Sequence, residues 1–410
     1  MPCLLKEQTA SSPGIITFTQ NEVLWGVVAQ SSRIKEFLAD SARHGRWLFG
    51  IHIQGHLSMP SWPLEPWQSF FLWPDTDAAF LSNVPKSHQL GMNCINFMPD
   101  IPRKPATLER NVDILVISRA STIKRINETL LILRGLMDTV PDFRATVIVP
   151  DMRQFELGEA CYELQAIDRR LYELPRQLFS STELKRLSFI ASSQQSFGWF
   201  PLSDGVLVDM LHRSKFVLLT SHREGTPRVL AEALLADVPC IVSDKLECGI
   251  SNILDDRNTI RIDDDTAVAV QQIKAGLERY EQFSIDDQRV RNAFSASLHT
   301  PRLQSMLSAQ IGALGKPVEG RWFLDDLHLR LAGHGRKYSF QFMKQEQVFF
   351  NWLARNTPSG DDGSGVGFDP YDEDYAIGTD GFNDGPLSAK LPAAPQRNPI
   401  LKMISRLTAR

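Results

Sequence analysis

Two carboxylates, Glu224 and Glu232, stand eight positions apart within KFVLLTSHREGTPRVLAEALLADVPCIVSD, residues 215–244. KFVLLTS and PCIVSD are short apolar runs of the kind that form buried strands. Between them Thr226 fits a helix cap and Pro227 the first helical position, where its missing N–H costs nothing. A helix starting there points free N–H groups and the positive end of its dipole beyond the first strand, which is an anion site. Glu224 lies in the loop ahead of that helix, and Glu232 about one and a half turns inside it. A carboxylate beside an anion is repelled by it, so its partners are hydroxyls, and two acceptor oxygens suit a diol. The pair therefore suits a ligand with hydroxyls at both ends and phosphates between, the form of a nucleotide sugar. A plainer reading is an ion pair: Arg228 and Glu232 are four apart, away from Val229, Leu230, Ala233 and Leu234, facing outward or into a cleft. Arg ahead of Glu is the less favourable order for such a pair.

The elements that must position these side chains extend upstream. Residues 109–151 begin with VDILVIS, continue into an amphipathic helix with Ile126, Leu130, Leu133 and Met137 near one face, and end in RATVIVP. That is a βαβ unit of a parallel sheet. Arg119 follows its first strand and Lys124 comes five residues later, at the edge where such sheets bind ligands. Arg125 reads as a solvent-facing neighbour. Asp263, Asp264 and Asp265 lie between a strand and a helix, where acidic residues favour the helix N-terminus over a metal-site reading.

EGTPRVLAEALLADVPCIVSD resembles the Glu-x7-Glu signature of retaining GT-B glycosyltransferases, close to glycosyltransferase family 4 (glycosyl transferases group 1). The resemblance implies that Glu224 contacts the donor sugar and Glu232 the ribose hydroxyls. It gives the diphosphate to the backbone of Gly225, Thr226 and Pro227 and to Arg119 and Lys124. SFGWFPLSDGVLVDMLHRSKF, residues 196–216, matches the family's nucleobase loop at Gly198, Trp199 and Phe200, with Trp199 either a base-stacking ring or a core or lid aromatic. The family needs no metal or other cofactor to bind its donor and uses front-side attack assisted by the leaving phosphate. One departure is Asp237–Val238, where the family has Gly before the second strand.

The resemblance implies an α/β GT-B fold of two Rossmann-like domains, with the donor domain over residues 106–315. Residues 1–105 form the acceptor-side domain, about half its usual size. There IITFT, LWGVVAQ, WLFGIHIQ, FFLWP, AAFLSN and NCINFMP read as strands and SRIKEFLADSARHG as a helix. His52 and His56 are acceptor-side candidates, either proton donors in the cleft or packed or solvated rings. In residues 316–356, GRWFLDDLHLRL and YSFQFMKQEQVFFNWLARN read as amphipathic helices that brace the N-terminal domain. Residues 357–410 read as an acidic disordered tail, too poor in apolar groups to offset its ordering entropy. Its end, 398–410, is a small basic amphipathic segment suited to a membrane surface or a partner, or else a frayed tail.

At 410 residues with 43% hydrophobic content, two domains and extensions are expected. The net charge of -4 argues against a nucleic-acid coat. Five cysteines without metal or disulfide spacing suit a reducing cytoplasm. No export signal or apolar run of about 18 residues is apparent. The expected activity is retaining transfer of a sugar from a nucleoside-diphosphate sugar to an unidentified acceptor. The alternative is a non-catalytic relative that keeps the fold for nucleotide or sugar binding or as a scaffold.

Overall fold

The computed structural model describes residues 2–54, 59–75, 77–118, 122–149, 174–191, 204–331 and 346–355. These fall within one compact unit, Met1–Asp372. Arg119, His56, Gly198, Trp199 and the tail 357–410 lie outside the described residues.

The N-terminal sheet has the order β1 (Cys3–Lys6), β2 (Gly14–Thr19), β3 (Trp47–His52), β4 (Gln68–Leu72). β1 runs antiparallel to β2, and the other pairings are parallel. β1 to β3 are buried throughout, so they read as continuous apolar runs rather than alternating ones.

Three segments expected as strands are helical, and local capping explains two of them. Thr19 and Glu22 form a capping box, with the Thr19 hydroxyl accepting from Glu22 N–H at 3.1 Å and Glu22 Oε2 from Thr19 N–H at 2.9 Å. This ends β2 and starts α1 (Gln20–Leu24), followed by α2 (Val27–Gln30), so LWGVVAQ is not a strand. A similar arrangement starts a 3-10 turn over Cys94–Phe97, with Asn93 Oδ1 accepting from Ile95 N–H at 3.1 Å and Asn96 Oδ1 from Asn93 N–H at 2.8 Å. AAFLSN likewise carries a 3-10 turn, Ala79–Leu81. The helix α3 (Ser32–Arg43) forms as expected, capped by the Ser31 hydroxyl on Ile34 N–H at 3.0 Å.

The second sheet is wholly parallel, in the order β10-β9-β8-β5-β6-β7. Its strands are β5 (Val112–Ile117), β6 (Ala145–Val149), β7 (Leu187–Ala191), β8 (Ser214–Leu219), β9 (Cys240–Ser243) and β10 (Thr259–Ile262). α4 (Ile126–Thr139) covers one face through Leu130 and Leu133, packed with Phe216 and Leu218. α5 (Asp204–His212) and α6 (Arg228–Leu235) cover the other, where Leu211, Leu230 and Leu234 meet Val217 and Leu219. From β5 the chain winds outward to β7, then restarts at β8 and winds the other way. The carboxyl ends of β5 and β8 therefore flank the topological switch point, where open α/β sheets bind ligands.

The chain crosses between the sheets twice, side by side. Met98 N–H donates to Phe294 O and Ala296 N–H to Met98 O, both at 2.9 Å. The sequence boundary at 315 assigns the following helix to the donor domain, but α7 (Ala296–Ala313) packs on the N-terminal sheet instead. Its Leu303, Leu307 and Ile311 form an i, i+4, i+8 stripe against Leu5, Ile15, Leu48 and Leu72. GRWFLDDLHLRL is helical only over α8 (Leu327–Arg330). Ahead of it, Phe323 N–H donates to Leu5 O and Glu7 N–H to Arg321 O, at 2.9 and 3.0 Å. This stretch covers the otherwise open edge of β1. α9 (Glu346–Arg355) places Phe349 against Phe18 and Phe37 of the N-terminal lobe, with ring centroids 5.9 and 6.1 Å apart. Among the described residues no helix is long and apolar enough to cross a membrane.

Asp237, the departure noted above, has φ +62°. It stands in the left-handed turn where glycine is favoured, so the backbone path is kept without the glycine. Arg110 donates to the Asp237 carbonyl at 2.6 Å and to Ser214 O at 2.9 Å, holding the turn against β8. Asp237→Gly should raise the melting point by roughly 1 to 3 °C, because the strain is relieved. A fall would mean that the carboxylate contact to Arg110, at 3.9 Å, outweighs the strain.

Candidate functional site

Lys124 closes a 3-10 turn (Thr122–Lys124) after β5, and Glu224 lies in the loop after β8. The structure joins them in an ion pair, Lys124 Nζ to Glu224 Oε1, with side chains 17% and 12% exposed. Both loops are braced. The Thr220 hydroxyl sits 3.0 Å from Lys124 O, 3.2 Å from Arg125 O and 2.7 Å from the Thr129 hydroxyl, tying the Lys124 turn to the end of β8. The Glu224 loop is zipped to the segment after β9: Glu224 N–H donates to Glu247 O at 2.9 Å, Glu247 N–H to His222 O at 2.8 Å, and Gly249 N–H to Gly225 O at 2.8 Å. Residue 249 must be glycine for this approach, since a Cβ there would lie 2.9 Å from Gly225 O.

Arg125 is not solvent-facing as the sequence suggested. It has φ +51°, and its side chain is only 20% exposed, donating to Asp264 Oδ1 at 2.5 Å and closing against His222. His222 Nε2 lies 2.6 Å and Lys245 Nζ 2.5 Å from the Asp264 carboxylate. The Lys245 ammonium first, then Arg125 and His222, hold the Asp264 carboxyl well below the usual carboxylate range. One residue after each of four adjacent strands, β5, β8, β9 and β10, thus meets in a single network beside Lys124 and Glu224. Asp265 caps the next helix, Thr266–Glu278, accepting from Ala267 and Val268 N–H at 2.8 and 3.0 Å. Among the described residues no cluster of three or more His, Cys, Asp or Glu is placed to hold a metal ion.

The start of α6 differs in detail from the sequence expectation. Pro227 occupies the cap position itself, and no side chain caps the first turn. The Thr226 hydroxyl is drawn off by the N-terminal lobe, accepting from Asn93 Nδ2 at 3.3 Å and lying 3.7 Å from Cys94 Sγ. Asn93 also donates to Ile53 O at 3.3 Å, at the carboxyl end of the N-terminal sheet. The two lobes therefore meet at the first turn of α6. One turn further on, Glu232 is buried, its Oε1 accepting from Arg228 Nη2 at 3.3 Å.

His52 lies on the sheet face with Leu48 and Gly50, 1% exposed, with Nδ1 3.1 Å from the Thr17 hydroxyl. Burial pushes its pKa well below the ordinary imidazole value, so the ring stays neutral near pH 7. A proton donor switching near neutrality is thus corrected to a packed core histidine. The sequence reading missed Asn93, Arg125, His222, Lys245, Asp264 and Gly249. The Asn93-x-x-Asn96 spacing was a legible turn signal, and the Asp264 network had none.

Residues 183–293 match the family model described as glycosyl transferases group 1, a window that contains Glu224 and Glu232 but not Lys124. No curated protein matches the chain. Among solved structures, the chain is similar to the pneumococcal O-GlcNAc transferase GtfA in complex with UDP and GlcNAc, at 12% identity and TM-score 0.46, over 68% of this chain and 54% of that one. It is similar to Anabaena Alr3699/HepE in complex with UDP, at 14% identity and TM-score 0.49, over 67% and 76% of the two chains. A third is the E. coli trehalose-6-phosphate structure bound with UDP-2-fluoro glucose, at 14% identity and TM-score 0.44, over 70% and 71%. The chain spans 54% of the first of these.

Proposed function

We propose that this chain is a retaining glycosyltransferase of the cytoplasm, moving a sugar from a nucleoside-diphosphate sugar to an acceptor that enters from the N-terminal lobe. The observation that carries this reading is the Lys124–Glu224 pair, assembled from two loops at the switch point and set beside an uncapped helix start with Glu232 one turn inside. The family match over residues 183–293 supports the same reading. In this reaction Lys124, Arg119 and the α6 backbone at Gly225, Thr226 and Pro227 stabilise negative charge on the departing diphosphate, without a metal. Glu224 orients the sugar and stabilises the positive charge that develops on it. Glu232 accepts from the ribose hydroxyls.

The test is thermal unfolding against uridine, guanosine, adenosine and cytidine diphosphates and their sugar conjugates, followed by release of the diphosphate from the sugar that binds. A ligand at 100 times its dissociation constant adds about 2.7 kcal/mol, so one nucleotide should stand out by its shifted melting point. NMR of the product should show the donor's anomeric configuration kept. No shift with any nucleotide, and no release, would sink the proposal.

A further inference from the structure

Arg228 is placed where an isolated helix disfavours it. As the first residue of α6 it sets a positive charge at the positive end of the helix dipole. It also precedes Glu232 in the weaker order for an i,i+4 pair. While Nη2 reaches Glu232, the Arg228 Nε–H is buried with no acceptor. An unmade buried hydrogen bond opposes folding and calls for an explanation.

A second polar group repeats the pattern. Ser221 is 0% exposed, and its Oγ has no partner. Ser221 lies two residues past β8, in the loop that leads to α6. The first turn of α6 has no side-chain cap either. At the start of α6 an unpaired guanidinium N–H thus stands beside a first turn with no side-chain cap, and an anion there would answer both.

We infer that Arg228 is a further donor-binding residue, bridging the Glu232 carboxylate and the donor's diphosphate. This rests on the nucleotide-sugar reading above. A guanidinium suits the role because its planar fork can engage a carboxylate and a phosphate oxygen at once. The side chain is 24% exposed, so a ligand can reach it. The bridge would fix the ribose and the phosphates relative to each other, and so set how far the sugar projects toward Glu224.

Arg228→Gln separates this from a purely structural pair. Without ligand, its melting point should fall only modestly, since glutamine can still donate to Glu232 although the carboxylate loses its counter-charge. Calorimetry should show affinity for the preferred nucleoside diphosphate falling about tenfold to a hundredfold, with affinity for the matching nucleoside unchanged. Arg228→Lys, which keeps the charge without the fork, should recover part of the loss. Wild-type diphosphate affinity in Arg228→Gln would overturn the inference and leave the donor site standing. Equal losses for diphosphate and nucleoside would also overturn it, making Arg228 a prop for Glu232. A wild-type chain that binds none of the four diphosphates would remove both readings together.

Discussion

Glu224→Gln should lower turnover by about a hundredfold or more while the chain stays folded, the magnitude typical of losing one preorganised charge at a reacting centre. Glutamine keeps the shape and a hydrogen-bond acceptor for Lys124 but removes the negative charge that, in the proposed reaction, faces the developing cation on the sugar. The side chain is 12% exposed, so water screens that charge little. By itself the result is ambiguous, because removing one member of a buried ion pair also strands the other and destabilises the fold. The double variant Glu224→Gln/Lys124→Met resolves it. With both charges gone, the melting point should return toward that of the wild type, since neither partner is left uncompensated. If the pair were only structural, activity would return with it. If the two charges act on the donor, stability recovers while diphosphate release, followed at saturating donor, stays down. An active double variant would end the assignment of both residues.

The two lobes differed in how far their sequence could be read. In the C-terminal lobe, continuous apolar runs such as FVLL and IVS mark parallel strands buried on both faces, so β5, β6, β8 and β9 were legible. Glu224 and Glu232 were legible for a related reason, because one strand–loop–helix unit carries both. The N-terminal lobe misled because its aromatic runs are equally apolar as strands or turns. There the Thr19–Glu22 and Asn93–Asn96 caps decided the backbone, at ranges of three residues. Contacts across long stretches of chain were not legible at all. Arg125 and Asp264 are 139 positions apart, and only the strand order brings them together. Asp237 shows the reverse: a departure from glycine that looked damaging is absorbed by Arg110, with the turn intact.

The site's organisation also follows from that strand order. β5 and β8 are neighbours only because the chain winds outward from β5 and restarts beside it. Lys124 and Glu224 can therefore meet although 100 residues separate them. The Asp264 network then fastens the carboxyl ends of four strands around the pair, and the Glu247–Gly249 segment backs the loop that carries Glu224. Rigid supports of this kind are what a charge-stabilising site requires, since its groups must not reorganise during the reaction.

Glu232→Ala should abolish the protein's ability to sense the ribose hydroxyls, with donor affinity down about tenfold to a hundredfold. Glu232 is 8% exposed and its Oε1 is occupied by Arg228, so one carboxylate oxygen is left to accept from the ligand. Affinity alone is an imperfect readout, because deleting Glu232 also frees Arg228 to act on the phosphates. The comparison that isolates the ribose uses the nucleoside diphosphate and its 2′,3′-dideoxy analogue. Wild type should prefer the hydroxylated ligand by the same factor of ten to a hundred, roughly the worth of a hydrogen bond to a charged group. Glu232→Ala should bind the two alike, whatever Arg228 then does, since any gain at the phosphates is shared by both ligands. A preference that survived the substitution would place the ribose elsewhere. Glu232 would then be the helix's own counter-ion to Arg228, and the eight-residue spacing to Glu224 would be incidental to binding.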